Sequence, residues 1–88
     1  MAKNKRNKGI RIQIVERKLG REKAWGQCWT GDKFIEIDPT QDSKNYLDTL
    51  IHETLHELIP RSSEETIEKC AATLTAVIWK CQYRRIMK

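Results

Sequence analysis

His52 and His56, with Glu53 directly after the first, are the residues of this chain best suited to chemistry. On an α-helix the four-residue spacing stacks the two imidazoles within reach of a single metal ion, and Glu53 projects from the same side. Two histidines are not a complete site, because catalytic zinc takes three protein ligands and keeps a fourth position for water. The sequence has no further histidine, so the third donor must be a cysteine or a carboxylate. Cys28 falls on a β-rich stretch, and Cys70 falls inside the apolar stripe of a later helix. Glu57 points roughly 100° away from its neighbour His56 by helical geometry. Glu64, Glu65 and Glu68 remain. Glu64 precedes Ile67 by three residues and Ala71 by seven, which sets it on the stripe facing the histidine helix, where it can fold back over both rings. Glu65 points about 100° off that stripe and is expected to cap its own helix. Glu68 lies one turn past Glu64 on the same side, where its carboxylate can accept the second ring N–H of a ligating histidine. Glu64 is therefore the expected third ligand, with Glu65 and Glu68 as the alternatives.

The elements that must position these residues can be read from the hydrophobic pattern. Ile10 to Glu16 alternates apolar and polar residues, the period of a strand with one buried face. The polar stretch from Arg17 to Lys23 ends it in a loop. Ala24 to Thr30 and Lys33 to Asp38 are two β-rich runs about Gly31-Asp32, which predicts a hairpin closed by Pro39. Gly26 inside the first run marks a bulge or a close approach by another backbone. Asp42 or Ser43 can cap a helix with Leu47, Leu50, Ile51, Leu55 and Leu58 at helical period, ended by Pro60. Ser62 with Glu65 predicts a capping-box start for a second helix running to about Arg84, with Ile67, Cys70, Ala71, Leu74, Val77, Ile78 and Cys81 as its apolar stripe. The expected fold is α+β: a small three-stranded sheet with a hairpin, packed against two helices.

His52-Glu53-Thr54-Leu55-His56 followed by Glu64, Ile67, Glu68, Cys70, Ala71 and Leu74 resembles the gluzincin branch of the zincin metallopeptidases. The resemblance spans roughly residues 24 to 79 and is closest to minimal, single-domain gluzincin-like proteins, including small phage and prophage proteins. It implies one zinc ion on His52, His56 and Glu64, Glu53 as general base in peptide hydrolysis, and Glu68 supporting a histidine. It also implies that an extended peptide or protein substrate adds to a sheet edge, here Trp25, Gly26, Gln27 and Cys28. Trp25 and Trp29 share one strand face and are expected to pack within the hairpin. The chain departs from the larger gluzincins at the residue that stabilises the oxyanion. Tyr83 lies about 28 Å beyond Glu64 along a continuous helix, and Tyr46 projects from a different side of its own.

The 88 residues suffice for one domain, expected over 9–88 behind a basic tail at 1–8. The formal charge of +5 belongs to the ends: Lys3, Lys5, Arg6 and Lys8 at one, Arg84, Arg85 and Lys88 at the other, with residues 9–83 at a net −2. Solubility accounts for such tails, and contact with nucleic acid through them is a further partner class. Three cysteines cannot form a closed disulfide set, which points to a reducing, cytoplasmic setting. No run approaches a membrane span and no apolar stretch follows the first basic residues, so neither anchoring nor secretion is expected. The composition is silent on oligomeric state. Besides a peptidase, the pattern suits a binding or regulatory module that keeps zinc as a structural element.

Overall fold

The alternating stretch forms strand β1 (Gln13–Glu16) in the computed structural model, which describes residues 11–29 and 31–86. Ile10, Thr30 and the proposed tail at 1–8 lie outside the described residues. The hairpin comprises β2 (Gly26–Trp29) and β3 (Phe34–Ile37), paired antiparallel with Cys28 opposite Ile35, and β1 adds to β3 in parallel with Ile14 opposite Ile35. The order β1-β3-β2 leaves β2 on an edge. Side chains alternate across the sheet, so Ile35 and Ile37 point to one face, where they are fully buried with Tyr46 as the core and Ile12, Cys28 and Leu50 around it. Ile14 shares that face at the margin and stays 46% exposed, so the one-sided burial expected of β1 holds at Ile12 and weakens beyond it.

The loop after β1 is more ordered than its polar composition predicts. A 3-10 turn at Gly20–Glu22 follows Leu19, which is fully buried and donates its N–H to the Asp38 carboxylate at 2.9 Å. Asp38 is itself buried and accepts from the Thr40 hydroxyl and N–H, so the turn from Asp38 to Thr40 around Pro39 is locked to the β1–β2 loop. These bonds favour the ionised form and hold the Asp38 carboxyl below its ordinary value, the Thr40 hydroxyl contributing most. On the other sheet face Arg17 grips Glu36 through Nε and Nη2 at 2.9 and 2.8 Å, and this guanidinium holds the Glu36 carboxyl below its ordinary value.

Helix α1 (Ser43–Leu58) begins at Asp42, whose side chain accepts from the Asn45 N–H, and lies against β2 and β3. Helix α2 (Glu64–Lys80) packs on α1, tied across by the buried Thr75 hydroxyl donating to Asp48 at 3.1 Å. Two boundaries of α2 differ from the sequence reading. Its N-cap is Ser63, accepting from the Thr66 N–H at 3.1 Å; Ser62 does not cap, and Glu65 instead pairs with Lys69 one turn on. The helix stops at Lys80, because Gln82 takes a left-handed φ of 70° and the Arg84 guanidinium folds back to donate to the Trp79 carbonyl at 2.8 Å. The expected apolar stripe also divides: Ile67, Ala71 and Thr75 are buried, whereas Leu74 and Val77 are exposed. No helix among the described residues is long and apolar enough to cross a membrane.

Candidate metal centre

The four residues from Ile59 to Ser62 that precede the Ser63 cap turn the chain so tightly that the start of α2 returns beside the end of α1. Glu64 is thus the first residue of α2, and its carboxylate reaches back over α1. Oε2 lies 2.9 Å from His52 Nε2 and Oε1 lies 3.0 Å from His56 Nε2. The two Nε2 atoms are 3.2 Å apart, with the rings edge to face at 64°. His52, His56 and Glu64 are a group of donors whose ligand atoms all lie within 4.8 Å of one another. The imidazoles are about one-fifth to one-quarter exposed and Glu64 is 57% exposed, so the cluster is walled by the helices and open over the carboxylate.

This donor set fits a zinc ion. Two atoms bound at 2.0–2.1 Å with a tetrahedral angle between them are ~3.3 Å apart, which matches the imidazole separation. Nitrogen and carboxylate oxygen are suitable donors, and three of them leave one position for solvent. The C-terminal end of α1, which carries His56 in its last turn, adds the negative end of a helix dipole and favours a cation there.

Glu53 lies between the cluster and the sheet. An added Cβ on Gly26 would sit 3.1 Å from Glu53 Cγ and would collide with Thr49 Cγ2, so the absent side chain of Gly26 is what admits α1 to the β2 edge. The close approach at Gly26 is made by side chains of α1, Thr49 and Glu53, rather than by another backbone as the sequence suggests. Burial pushes the Glu53 carboxyl above its ordinary value; protonated imidazoles at His52 and His56 act against that, and the Glu64 charge adds to it. Gln41 fixes the same junction. Its amide donates to the Asp38 and Trp25 carbonyls, and its oxygen accepts from the Thr49 hydroxyl. No motif marks Gln41 or Thr49 in the sequence; a buried amide between two elements becomes visible only once they are packed.

Of the residues singled out from sequence, the structure brings together His52, His56, Glu64 and Glu53. Glu68 is exposed, and among the described residues no hydrogen bond joins it to either imidazole. Glu57 serves the hairpin, accepting from the Gly31 N–H at 3.1 Å and from the Cys28 thiol at 3.7 Å. Gly26, Gln27 and Cys28 lie on the edge strand, and the Asp38 N–H to Trp25 carbonyl bond sets the register so that the main-chain groups of Gly26 point away from β3. Trp25 and Trp29 are 58% and 42% exposed rather than packed inside; Trp29 only leans on Phe34, their centroids 5.5 Å apart. Tyr46 is held away from the cluster by its bond to Glu16 at 2.6 Å, and Tyr83 is exposed past the end of α2. No family model, curated protein or solved structure matches this chain.

Proposed function

We propose that this chain is a zinc-dependent metallopeptidase of minimal gluzincin type, acting in the cytoplasm, with one Zn2+ on His52, His56 and Glu64 and with Glu53 as general base. The observation that carries this reading is the closure of three donors from two helices to 2.9–3.2 Å beside a half-buried carboxylate. A zinc ion held there supplies Lewis acidity, polarising a peptide carbonyl and lowering the pKa of a water toward about 7. Glu53 takes the proton from the attacking water and delivers it to the leaving amine. Strand β2 binds the peptide in extended form along its open edge, with Gly26 main-chain groups among its partners and Trp25 beside it.

Neither tyrosine stands beside the cluster, and loss of one oxyanion donor costs about 2.7–4 kcal/mol, or 100- to 1,000-fold in rate. Turnover is therefore expected to be slow. The same feature favours a second reading, in which zinc braces a binding module that captures peptides without cutting them. Cleavage of a peptide library by zinc-loaded protein and by its Glu53→Gln variant decides between them. The peptidase reading expects wild-type cleavage and at least a 100-fold loss in the variant; equal rates would remove Glu53 from the chemistry.

A further inference from the structure

Strand β2 offers an extended ligand more than main-chain groups. The Gln27 amide donates to Glu36 at 3.2 Å, and Arg17 grips Glu36 on the sheet face turned away from α1. Strand residues alternate, so Trp25 and Trp29 share that outer face with Gln27, while Gly26 and Cys28 face α1. Among the described residues α1 is the one helix packed on the sheet, which leaves the outer face without a helix over it. Both indoles are exposed there, and Phe34 extends the apolar surface beside Trp29. Edge strands are ordinarily guarded by lysine, proline or a bulge, because open main-chain groups pair with any strand that meets them. The run from Ala24 to Trp29 has no charge and no proline, and β2 pairs with β3 without a bulge from Gly26 to Trp29. An unguarded edge flanked by two outward indoles suits the addition of a strand.

The register decides which side chains of an added strand meet the indoles. The bond from the Asp38 N–H to the Trp25 carbonyl turns the Gly26 main chain outward. An antiparallel peptide therefore exchanges hydrogen bonds at Gly26 and passes Trp25, Gln27 and Trp29 as non-hydrogen-bonded pairs, in which Cα atoms are about 4.5 Å apart and side chains lie closest. The peptide residues across from Trp25 and Trp29 are four apart, and the one midway between them faces Gln27. The residues that alternate with these point to the other face, toward α1. Aromatic and apolar cross-strand pairs stabilise a sheet, so each indole favours a large apolar partner. Gln27 and the Arg17–Glu36 pair keep the middle of the platform polar.

We propose that the β2 edge selects extended peptides with large apolar side chains at positions i and i+4, held against Trp25 and Trp29, and a polar residue at i+2 against Gln27. The inference rests on peptide capture along that edge, which the peptidase and binding-module readings share. Trp25 and Trp29 set specificity and take no part in the chemistry. The probes are two capped nine-residue peptides of identical composition, otherwise Thr and Ser, one with Phe at positions 3 and 7 and the other with Phe at 3 and 6. Each is titrated into the zinc-treated full chain carrying Glu53→Gln, so that no peptide is consumed, and followed by the NMR signals of the three indoles. The 3,7 peptide should bind saturably and at least about 5-fold tighter than its isomer, the upper end of what one cross-strand pair contributes. The Trp25 and Trp29 signals should shift, while Trp79, stacked with Arg84 beyond the sheet, should not. Trp25→Thr replaces an exposed ring by another strand-forming residue and should bring the two peptides to equal affinity. Equal affinity before that substitution, or a preference that survives it, would overturn the selection and leave edge capture in place. Binding of neither peptide at 5 mM, or shifts confined to Trp79, would remove edge capture and the selection together. Sedimentation of the chain as a dimer that Trp25→Thr splits would give this face to a second copy and overturn the proposal as well. Failure of the peptidase reading shows separately, as peptide that binds with the expected preference yet stays intact when Glu53 is present.

Discussion

Replacing Gly26 by alanine tests how α1 is seated on the sheet, and the structure fixes both the sign and the size of the effect. Gly26 is in a strand without a left-handed φ, so a side chain there meets no backbone strain, and relief of glycine's conformational freedom would by itself stabilise by about 0.5–1 kcal/mol. The new methyl, however, would overlap Thr49 Cγ2 and lie 3.1 Å from Glu53 Cγ and 3.4 Å from the Glu36 carbonyl oxygen. Thr49 cannot easily yield, because its hydroxyl is bonded to Gln41 at 3.0 Å and Gln41 is bonded to the hairpin. Overpacking costs about 1–3 kcal/mol, and overlap with a pinned Thr49 belongs to the upper part of that range, about 2–3 kcal/mol, which against a relief of up to about 1 kcal/mol leaves a net loss of about 1–2 kcal/mol. With a urea slope near 1 kcal/mol/M for so small a chain, the unfolding midpoint, read by tryptophan fluorescence, should fall by about 1–2 M. Adding Thr49→Ser removes Cγ2 but keeps the hydroxyl, and should recover about half of that loss. A Gly26→Ala midpoint equal to or above wild type would refute the packing argument, as would a Thr49→Ser substitution that recovers nothing.

Two pH dependences follow from groups outside the His52, His56 and Glu64 cluster. Asp38 has a folded pKa below its unfolded value, so its contribution is present above about pH 4 and is lost as pH falls through the folded value. Asp38→Asn should therefore be less stable than wild type at pH 7, with the gap closing in urea midpoints taken down to pH 3; a gap independent of pH would contradict this. Burial, followed by the bond to Glu16, pushes the Tyr46 phenol up to about 12, so its contribution is intact below pH 10 and is lost as pH rises through that value. Tyr46→Phe should remove this alkaline loss and, in an absorbance titration, the phenol that ionises near pH 12.

The two faces of the problem were unequally legible in the sequence. His52, His56 and Glu53 lie on one helix, where spacing alone determines mutual position, so the motif could be read without the fold. Glu64 was within reach because the turn after Pro60 is short and α2 begins at once, leaving few ways for its first residue to point. The strand and hairpin boundaries came close because Gly31-Asp32 and Pro39 restrict the backbone itself. What escaped was the tertiary detail. Leu19 sits alone in a polar stretch, yet it is fully buried, since Asp38 draws the loop inward. The end of α2 carries no glycine or proline; a guanidinium capping from four residues further on stops it. Ser62 and Ser63 offer equivalent hydroxyls, and only the pairing of Ser63 with Thr66 picks the cap. The outward turn of Trp25 and Trp29 likewise depends on which sheet face α1 covers.

X-ray absorption on the zinc-treated protein, with metal content measured alongside and Glu64→Gln as the comparison, bears most directly on the proposed metal site. One zinc per chain is expected, with two imidazole nitrogens at ~2.0–2.1 Å, one carboxylate oxygen at ~2.0–2.2 Å and one solvent oxygen, and with the carboxylate signal lost in the variant. Protein that retains no zinc, a sulfur atom in the coordination shell, or a Glu64→Gln spectrum identical to wild type would contradict it.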